Sequence, residues 1–395
     1  MHRTSVLSAF AALFLADFAV RTAYMAGKSP VLPVFADQLG ANEVILGAIV
    51  SVSTLTGMLS KPVFGMLSDR YGRWIWLMLG TALFAFTPLL YSGVTTTEDL
   101  VALRLLHGLA TAIYGPVTLA FIADLDAGPK AELFGWFGLS RTGGYILGPL
   151  IGGLLLSYVS APQVYACTSL IAVLAYIPVL SLRTGPRNAA KKHSATYQIS
   201  ELPSLLTRNR PLLGFGLVEM SSRVGLYAVK TFLPLMILAQ GGTPLSAGVF
   251  LSVQEMAMAA TRPLAGRLAD RLRAPEKVAM AGLALMAAAL VMVPSAKSAD
   301  LLMLVAISIG IGNGAYHPAA MAMIARAAGT DATGFAFGIV GGMRNMGKLL
   351  GPIIGGALLF TLPHEYAFTV LALTTLGAMA PIMHQRSLIK NNQFG

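Results

Sequence analysis

The chain reads RTGGYILGPLIGG from Arg141 to Gly153, and it reads RNMGKLLGPIIGG from Arg344 to Gly356. Each copy begins with an arginine and continues with spaced glycines around a Gly-Pro pair. A second stretch repeats in the same way, because KPVFGMLSDR at Lys61–Arg70 returns as RPLAGRLADR at Arg262–Arg271. Copies in the same order, about 200 residues apart, predict two halves built on one plan, as in other chains with internal repeats.

The repeat also preserves ionisable residues inside apolar stretches, namely Asp17, Arg21 and Lys28 in the first half and Glu219, Arg223 and Lys230 in the second. At roughly 100° per residue of helix, the members of each set fall within about 40° of one another. Each set therefore predicts a charged stripe along one helix face. Pro30 or Pro33 is expected to break the first of these helices near Lys28.

The composition is typical of a membrane protein. Only 11% of the 395 residues are charged and 55% are hydrophobic, whereas soluble domains carry roughly 25% charged residues. The apolar stretches are long enough for helices that cross a bilayer, which need about 20 residues each. Cys167 is the single cysteine, so an intrachain disulfide and a cysteine-rich metal site are excluded. The N-terminal apolar run is interpreted as a first span rather than a cleaved signal, because Asp17 and Arg21 interrupt it.

Twelve apolar segments are predicted to span the membrane as helices. They are residues 5–35, 43–67, 75–93, 99–123, 133–158, 161–182, 211–239, 244–268, 277–296, 300–326, 333–360 and 365–384. A polar, basic and proline-bearing stretch separates the sixth segment from the seventh. The predicted architecture is an all-α membrane protein with a six-helix bundle in residues 1–182, a linker at 183–210 and a second six-helix bundle in residues 211–395.

The loop charges predict the orientation. Lysines and arginines of the predicted loops lie almost entirely on the side of the two termini, whereas the opposite loops offer only Lys297 among several acids. Positively charged loops stay in the cytoplasm. Both termini are therefore predicted to be cytoplasmic, and these loops, rather than a nucleic-acid partner, explain much of the net charge of +11.

The segment GMLSDRYGRW, at Gly65–Trp74, resembles the loop signature between helices two and three of the major facilitator superfamily. The matching residues are Gly65, Asp69, Arg70, Gly72 and Arg73. The resemblance implies a cytoplasmic latch between the two halves, with Gly65 allowing close helix approach. The second copy is degenerate, because Leu272 and Arg273 replace its Tyr-Gly pair. The alternative is a basic turn that only follows the positive-inside rule.

The segment LRLLHGLATAIYGP, at Leu103–Pro116, is similar to the family's fourth-helix signature through Arg104 and Gly108, with His107 where glutamine is usual. In the family's antiporters the equivalent arginine is linked to proton movement. Arg104 is therefore predicted to face either the bundle interior, as costly intramembrane charges do, or the outer interface near Asp99. His107 is expected to be a hydrogen-bonded histidine.

The segment GYILGPLIGG, at Gly144–Gly153, resembles the fifth-helix motif of the superfamily's 12-helix drug:proton antiporters. The packing residues are Gly144, Gly148 and Pro149 in helix five, and Gly351 and Pro352 in helix eleven. Glycines four residues apart allow close approach of a neighbouring backbone. The motif favours antiport over symport, and its structural interpretation is small-residue packing at an interface between the halves.

Charge inside the apolar segments is unbalanced. Three acids accompany eight bases there, an excess of about +5 that favours an anionic or zwitterionic ligand. Asp17–Arg21 and Glu219–Arg223 are expected to pair within their helices. The bases left without obvious acid partners are Lys28, Lys230, Arg141, Arg344 and Lys348. The predicted substrate-binding residues are Arg21, Lys28, Arg141, Arg223, Lys230 and Arg344.

Proton coupling requires a carboxylate that changes protonation between states. Asp17, Glu219 and Glu255 are the candidates, together with Arg104. Glu255 lacks a basic neighbour one turn away and is predicted to titrate most freely, whereas Asp17 is favoured equally by the pairing across the repeat. The sequence leaves this choice open.

The resemblance implies a secondary transporter. The favoured function is proton-coupled export of an amphipathic anionic or zwitterionic small molecule or lipid across a bacterial inner membrane. Proton-symport uptake of a carboxylate metabolite or siderophore is the alternative, and a non-transporting receptor or scaffold is the alternative of another class. The chain has no P-loop, no metal-ligand spacing of histidines and no nucleophile–base pattern. We therefore expect no enzyme activity, cofactor or metal, and a monomer as the working form.

Overall fold

The computed structural model describes residues 3–125, 130–182, 210–328 and 333–383. Within these ranges the regular structure is helical and contains no strand. The predicted linker at 183–210 lies outside the described residues except for its last position, and so does the end of the twelfth predicted span.

The first half of the chain contributes eight α-helices to the described ranges. They are α1 (Arg3–Ala26), α2 (Leu32–Gln38), α3 (Glu43–Tyr71), α4 (Arg73–Phe86), α5 (Thr97–Asp124), α6 (Lys130–Leu156), α7 (Ala161–Leu174) and α8 (Tyr176–Ser181). An irregular turn at Gly27–Val31 separates α1 from α2, and there Ser29 has φ −150° and ψ 118°. The predicted break near Lys28 is confirmed, because Pro30 lies inside this turn.

The second half contributes six α-helices to the described ranges. They are α9 (Arg210–Ala239), α10 (Pro244–Leu272), α11 (Pro275–Met292), α12 (Ala299–Ala328), α13 (Thr333–Thr361) and α14 (His364–Gly377). Each predicted span coincides with one helix or a consecutive pair. Nine described helical segments have the length and composition to cross a membrane. The remaining three, α6, α10 and α13, are 27, 29 and 29 residues long, which completes the predicted twelve.

Short sequence signals set the ends of several helices. Gly72 has φ 93° between α3 and α4, a backbone conformation that residues with a Cβ rarely adopt. The Asn42 side-chain oxygen accepts a hydrogen bond from the Ile45 backbone amide at 2.9 Å and caps the start of α3. Thr96 and Asp99 form a capping box at the start of α5.

The chain forms two compact units. The first comprises Met1–His193 and Leu233–Ser252, and the second comprises Ser194–Phe232 and Val253–Gly395. In the first unit α1 packs along α6, while α3 and α4 pack on α5; in the second, α11 packs on α12 and α14. Leu13 and Phe137 belong to the core of the first unit, and Leu283 and Ile324 to that of the second.

The glycines of the repeated motif bring helices of the same half together. A Cβ on Gly144 would lie 2.5 Å from the Cβ of Arg21, and one on Gly148 would collide with Met25. In the second unit, a Cβ on Gly351 would lie 2.8 Å from the Val224 carbonyl oxygen. The predicted interface between halves is wrong for these glycines, because they pack on the first helix of their own half.

The two motif prolines lie within continuous helices. Pro149 is inside α6 and Pro352 is inside α13. At Gly153 the predicted packing between halves is present, because a Cβ there would lie 3.0 Å from the Cα of Gly248 on α10, which belongs to the same compact unit. Because Gly144 lets α6 lie close to α1, Arg141 on α6 is held within reach of Asp17 on α1.

Candidate functional site

A fully buried carboxylate on α1 is the centre of the charged cluster in the first unit. Asp17 lies 3.6 Å (Oδ1 to Nε) from Arg21 on the same helix and 3.5 Å (Oδ2 to Nε) from Arg141 on α6. The Ser140 hydroxyl donates a hydrogen bond to Oδ2 at 3.0 Å. The predicted pair within α1 is therefore one part of a larger cluster that joins α1 to α6.

Aromatic rings lie beside the cations of this cluster. The Arg141 guanidinium donates to the Thr118 hydroxyl at 3.2 Å and lies 5.2 Å from the centroid of the Phe137 ring. The Lys28 ammonium lies 5.5 Å from the centroid of the Tyr24 ring. In the part of the chain that the structure describes, Lys28 forms no salt bridge. The cluster thus combines positive charge with apolar ring faces.

Lys61 on α3 is a member that the sequence analysis missed. It is half-buried, interacts electrostatically with Arg21, Lys28 and Arg141, and makes no ion pair with any described acid. The sequence signal that could have found Lys61 is the repeat, because Lys61 begins one copy of a repeated motif and another base, Arg262, begins the second copy. Arg21 and Arg141 share the carboxylate of Asp17. Lys61 and Lys28 add two cations without a described acid partner, so the positive excess is concentrated in this unit.

The second unit repeats the arrangement around Glu219 on α9, which is also fully buried. Arg344 on α13 lies 2.8 Å (Nε to Oε2) from this carboxylate, and Arg223 lies 3.6 Å (Nε to Oε2) from it. His317 on α12 approaches the other oxygen, with 3.6 Å between Nδ1 and Oε1. The arginine that begins each Gly-Pro motif therefore binds the carboxylate on the first helix of its half.

Two side chains make the second cluster different from the first. His317 and Asn313 both lie on α12, and the Asn313 amide oxygen accepts a hydrogen bond from Arg223 at 3.1 Å. Their repeat-related positions hold Gly115 and Thr111. The sequence analysis did not include His317 because it stands alone, without any pattern of nearby ligand residues. Only folding brings it to Glu219.

The predicted shortage of acid partners is wrong for three bases. Lys230 bonds to Glu255 of α10, and Arg141 and Arg344 bind Asp17 and Glu219 as described above. Glu255 is therefore not the freest carboxylate, because its partner comes from another helix. The other two bases of that group are Lys28, described above, and Lys348, which is half-buried on α13.

Arg104 lies inside the first unit, so the interior alternative is the correct one. It is 1% exposed and donates a hydrogen bond to the Ser53 hydroxyl of α3. The described residues give it no carboxylate partner, since Asp99 is occupied with capping α5. His107 is hydrogen-bonded as predicted, with its Nδ1 3.2 Å from the Tyr91 hydroxyl.

The loop signature forms a local ion network. Arg73 lies 2.6 Å (Nη1 to Oδ1) from Asp69 and 2.5 Å (Nε to Oδ2) from Asp124 at the end of α5. Arg70 is exposed, with its guanidinium near the Tyr71 ring. The expected close approach at Gly65 is wrong, because no described atom lies within 4 Å of a Cβ built there. Latching of the two halves stays a prediction.

Comparison with family models gives one assignment over nearly the whole chain. The model of the Major Facilitator Superfamily matches residues 9–274 and 215–387. The two matches overlap, as expected when each half of a repeat fits part of one model.

Relatives and solved structures agree with this match. The chain is 25% identical over 354 residues to "Multidrug resistance protein 1" of Bacillus subtilis, covering 86% of each chain. It is 26% identical over 357 residues to "Multidrug resistance protein MdtG" of Enterobacter lignolyticus, covering 88% of this chain and 85% of the relative. A mutant of the nucleoside transporter NupG superposes with a TM-score of 0.81 at 15% identity, covering 96% of this chain and 99% of NupG. That structure supports the fold alone.

Proposed function

Because this chain belongs to the Major Facilitator Superfamily, we propose that it exports an amphipathic anionic or zwitterionic small molecule or lipid in exchange for protons. Members of the family are transporters rather than enzymes, and this chain is one of them. Relatives named as multidrug resistance proteins support export as the direction. A bacterial inner membrane is the proposed location, and the loop charges support cytoplasmic termini.

The charge of the first unit supports an anionic group on the substrate. Asp17 is shared by Arg21 and Arg141, so it neutralises at most one of them, and Lys28 and Lys61 have no described acid partner. A site lined by one sign of charge concentrates ligands of the opposite sign. This excess of cations is the observation that carries the proposal.

Aromatic neighbours support an apolar part of the substrate. The Tyr24 ring lies beside Lys28, and the Phe137 ring lies beside Arg141. A ligand that places its anion on these cations therefore meets ring faces within the same site. An amphipathic ion satisfies both surfaces, whereas a small inorganic anion satisfies only the charge.

The second unit is proposed as the proton site. Arg223 and Arg344 both bind Glu219, and Lys230 binds Glu255, so these predicted substrate-binding cations are already engaged. A carboxylate held by two arginines stays ionised, and it gains affinity for a proton when either arginine moves away. Among the three proposed carboxylates, Glu219 is favoured because His317 supplies a second titratable group beside it.

Arg104 is proposed to act on protonation from a distance. It touches Ser53 and no described carboxylate, so it does not exchange a proton directly with Asp17. A buried, always charged guanidinium nonetheless makes the surrounding potential positive. Its predicted contribution is to stabilise the ionised form of carboxylates in the same unit.

The test uses full-length protein in proteoliposomes with an acidic lumen and a trapped pH dye. The probes are an aromatic sulfonate, its zwitterionic ammonio-sulfonate analogue and a lysophospholipid. A sulfonate stays ionised across this pH range. It therefore cannot cross the bilayer unaided as a neutral acid and distribute with the pH gradient without the transporter. Antiport predicts that the probe accumulates in the acidic lumen while the lumen loses protons, with protein-free liposomes as the control.

Other outcomes would replace the proposal. Accumulation only into an alkaline lumen identifies proton symport and favours uptake. Movement of the probes that ignores the gradient excludes proton coupling. Saturable binding without movement of any probe favours the receptor or scaffold alternative.

A further inference from the structure

A lipid-facing groove in the second unit is independent of the charged clusters. It has a volume of about 400 Å³ and is lined by α10, α11 and α12, with Lys277 as the charged residue of its lining. Its lining includes the small residues Ala265, Ala281, Gly282 and Ala315, of which Ala265 and Gly282 are buried. α11 and α12 are in close contact beneath the groove at Gly282. A Cβ on this residue would lie 2.8 Å from the Tyr316 amide nitrogen.

The groove has the length of one membrane leaflet. Its lining on α10 runs from Leu272 to Thr261, which is about 16 Å at the helical rise of roughly 1.5 Å per residue. Half of a hydrocarbon core of about 30 Å is of similar length. One wall carries leucines that lie open to the bilayer, since Leu264 is 62% and Leu268 is 49% exposed. The groove therefore fits an acyl chain.

Positive charge collects at the end of the groove beside the turn between α10 and α11. Lys277 lines the groove and is exposed, and so are Arg271 at the end of α10 and Arg273 in the turn that follows. Asp270 and Glu276 are the acids of this turn, so the cations remain in excess. By the loop charges, this end lies at the cytoplasmic surface, where anionic lipid headgroups attract such clusters.

The first half does not repeat this combination. The position that corresponds to Lys277 in the first copy of the motif is Trp76. The second copy of the loop signature is also the degenerate one, in which Leu272 and Arg273 replace the Tyr-Gly pair. Of the two replaced residues, Leu272 lines the end of the groove and Arg273 lies in the turn beside it.

We propose that this groove binds an anionic phospholipid of the cytoplasmic leaflet, with an acyl chain along α10 and α11 and the phosphate at Lys277. The site is distinct from the transport site and does not depend on the transported substrate. Its ligand is a structural or regulatory lipid of the surrounding bilayer.

Native mass spectrometry of the full-length protein tests the proposal, with phosphatidylglycerol and phosphatidylcholine of identical chains as the probes. We expect phosphatidylglycerol to be retained in preference to phosphatidylcholine. Lys277→Ala is expected to lower phosphatidylglycerol affinity about fivefold, the effect of one cation at an anionic membrane surface, and to leave phosphatidylcholine unchanged. Ala281→Phe, which fills the groove, is expected to lower the affinity for both lipids.

Two matched variants control for general damage. Ala284→Phe adds the same ring to an exposed position of α11 that is not part of the groove lining, and Lys297→Ala removes a cation from the opposite loops. Both are expected to bind the two lipids like the unaltered protein. Equal retention of the two lipids by the unaltered protein would overturn the proposal, as would equal effects of Ala281→Phe and Ala284→Phe.

Discussion

Replacing Gly144 with alanine tests the packing that holds the first charged cluster together. The new Cβ would lie 2.5 Å from the Cβ of Arg21, and 3.0 Å from the Arg21 carbonyl carbon and the Thr22 amide nitrogen. Carbon atoms in contact prefer about 3.5–4.0 Å. Because two of these neighbours are backbone atoms, no side-chain rotation makes room, so α1 and α6 must separate.

The matched control is Gly138→Ala on the same helix, where no described atom lies within 4 Å of the new Cβ. Both variants gain helix propensity equally, so the difference between them reports the steric conflict. Added volume in a well-packed interior costs about 1–3 kcal/mol. With about 2–4 °C per kcal/mol for a unit of this size, Gly144→Ala should melt roughly 2–12 °C below Gly138→Ala.

Fluorescence-detected size-exclusion chromatography after heating measures this difference on the detergent-solubilised protein. In the second half, Gly351→Ala and Gly342→Ala form the equivalent pair, because Gly342 also lacks a described neighbour within 4 Å. Equal melting temperatures within each pair would refute the conclusion that the repeated glycines fix the helix contact.

The other predictions concern the ion pairs. Asp17→Asn leaves the buried Arg21 and the partly buried Arg141 without their carboxylate. We expect a loss of about 3–5 kcal/mol, seen as reduced thermal stability that Arg141→Gln partly restores in the double variant. Lys230→Met alone and Glu255→Gln alone should each lower the stability more than the double variant does, because each single change leaves one charge without its partner. Additive effects in a double-mutant cycle of melting temperatures would contradict an ion pair between the two residues. Arg73→Ala should cost less than about 1 kcal/mol because its partners are largely exposed, while the rate of transport in proteoliposomes falls if the latch prediction is right.

Most of the fold was accessible from the sequence. Long apolar segments admit few structures in a membrane, since every backbone polar group must find its partner within a helix. The break at Gly27–Val31 was also predictable, because Pro30 removes a backbone donor near Lys28. The direction of glycine packing was not, because spacing shows which residues share a face but not which helix that face meets.

The site was predicted by residue type and only partly by contact. The pairs Asp17–Arg21 on α1 and Glu219–Arg223 on α9 are local patterns and form as expected. Lys28 does not continue the first stripe along α1, because it lies in the irregular turn after that helix. The partners Arg141 and Arg344 come from helices more than 100 positions away, so pairing within one helix could not reveal them. His317 and Lys61 were missed because neither forms part of a local charge pattern.

Transport of matched ions tests the central claim, that the cations of the first unit bind the anionic group of the transported molecule. The measurement compares an aromatic sulfonate with its quaternary-ammonium analogue in proteoliposomes with a pH gradient, for the unaltered protein and for a Lys28→Ala, Lys61→Ala double variant. We predict transport of the sulfonate and not of the ammonium analogue. Because a hydrogen bond to a charged group contributes about 1.5–3 kcal/mol, sulfonate transport should fall on the order of tenfold or more in the double variant, with little change in melting temperature. Transport of the ammonium analogue in preference to the sulfonate, or an unchanged sulfonate rate in the double variant, would contradict the claim.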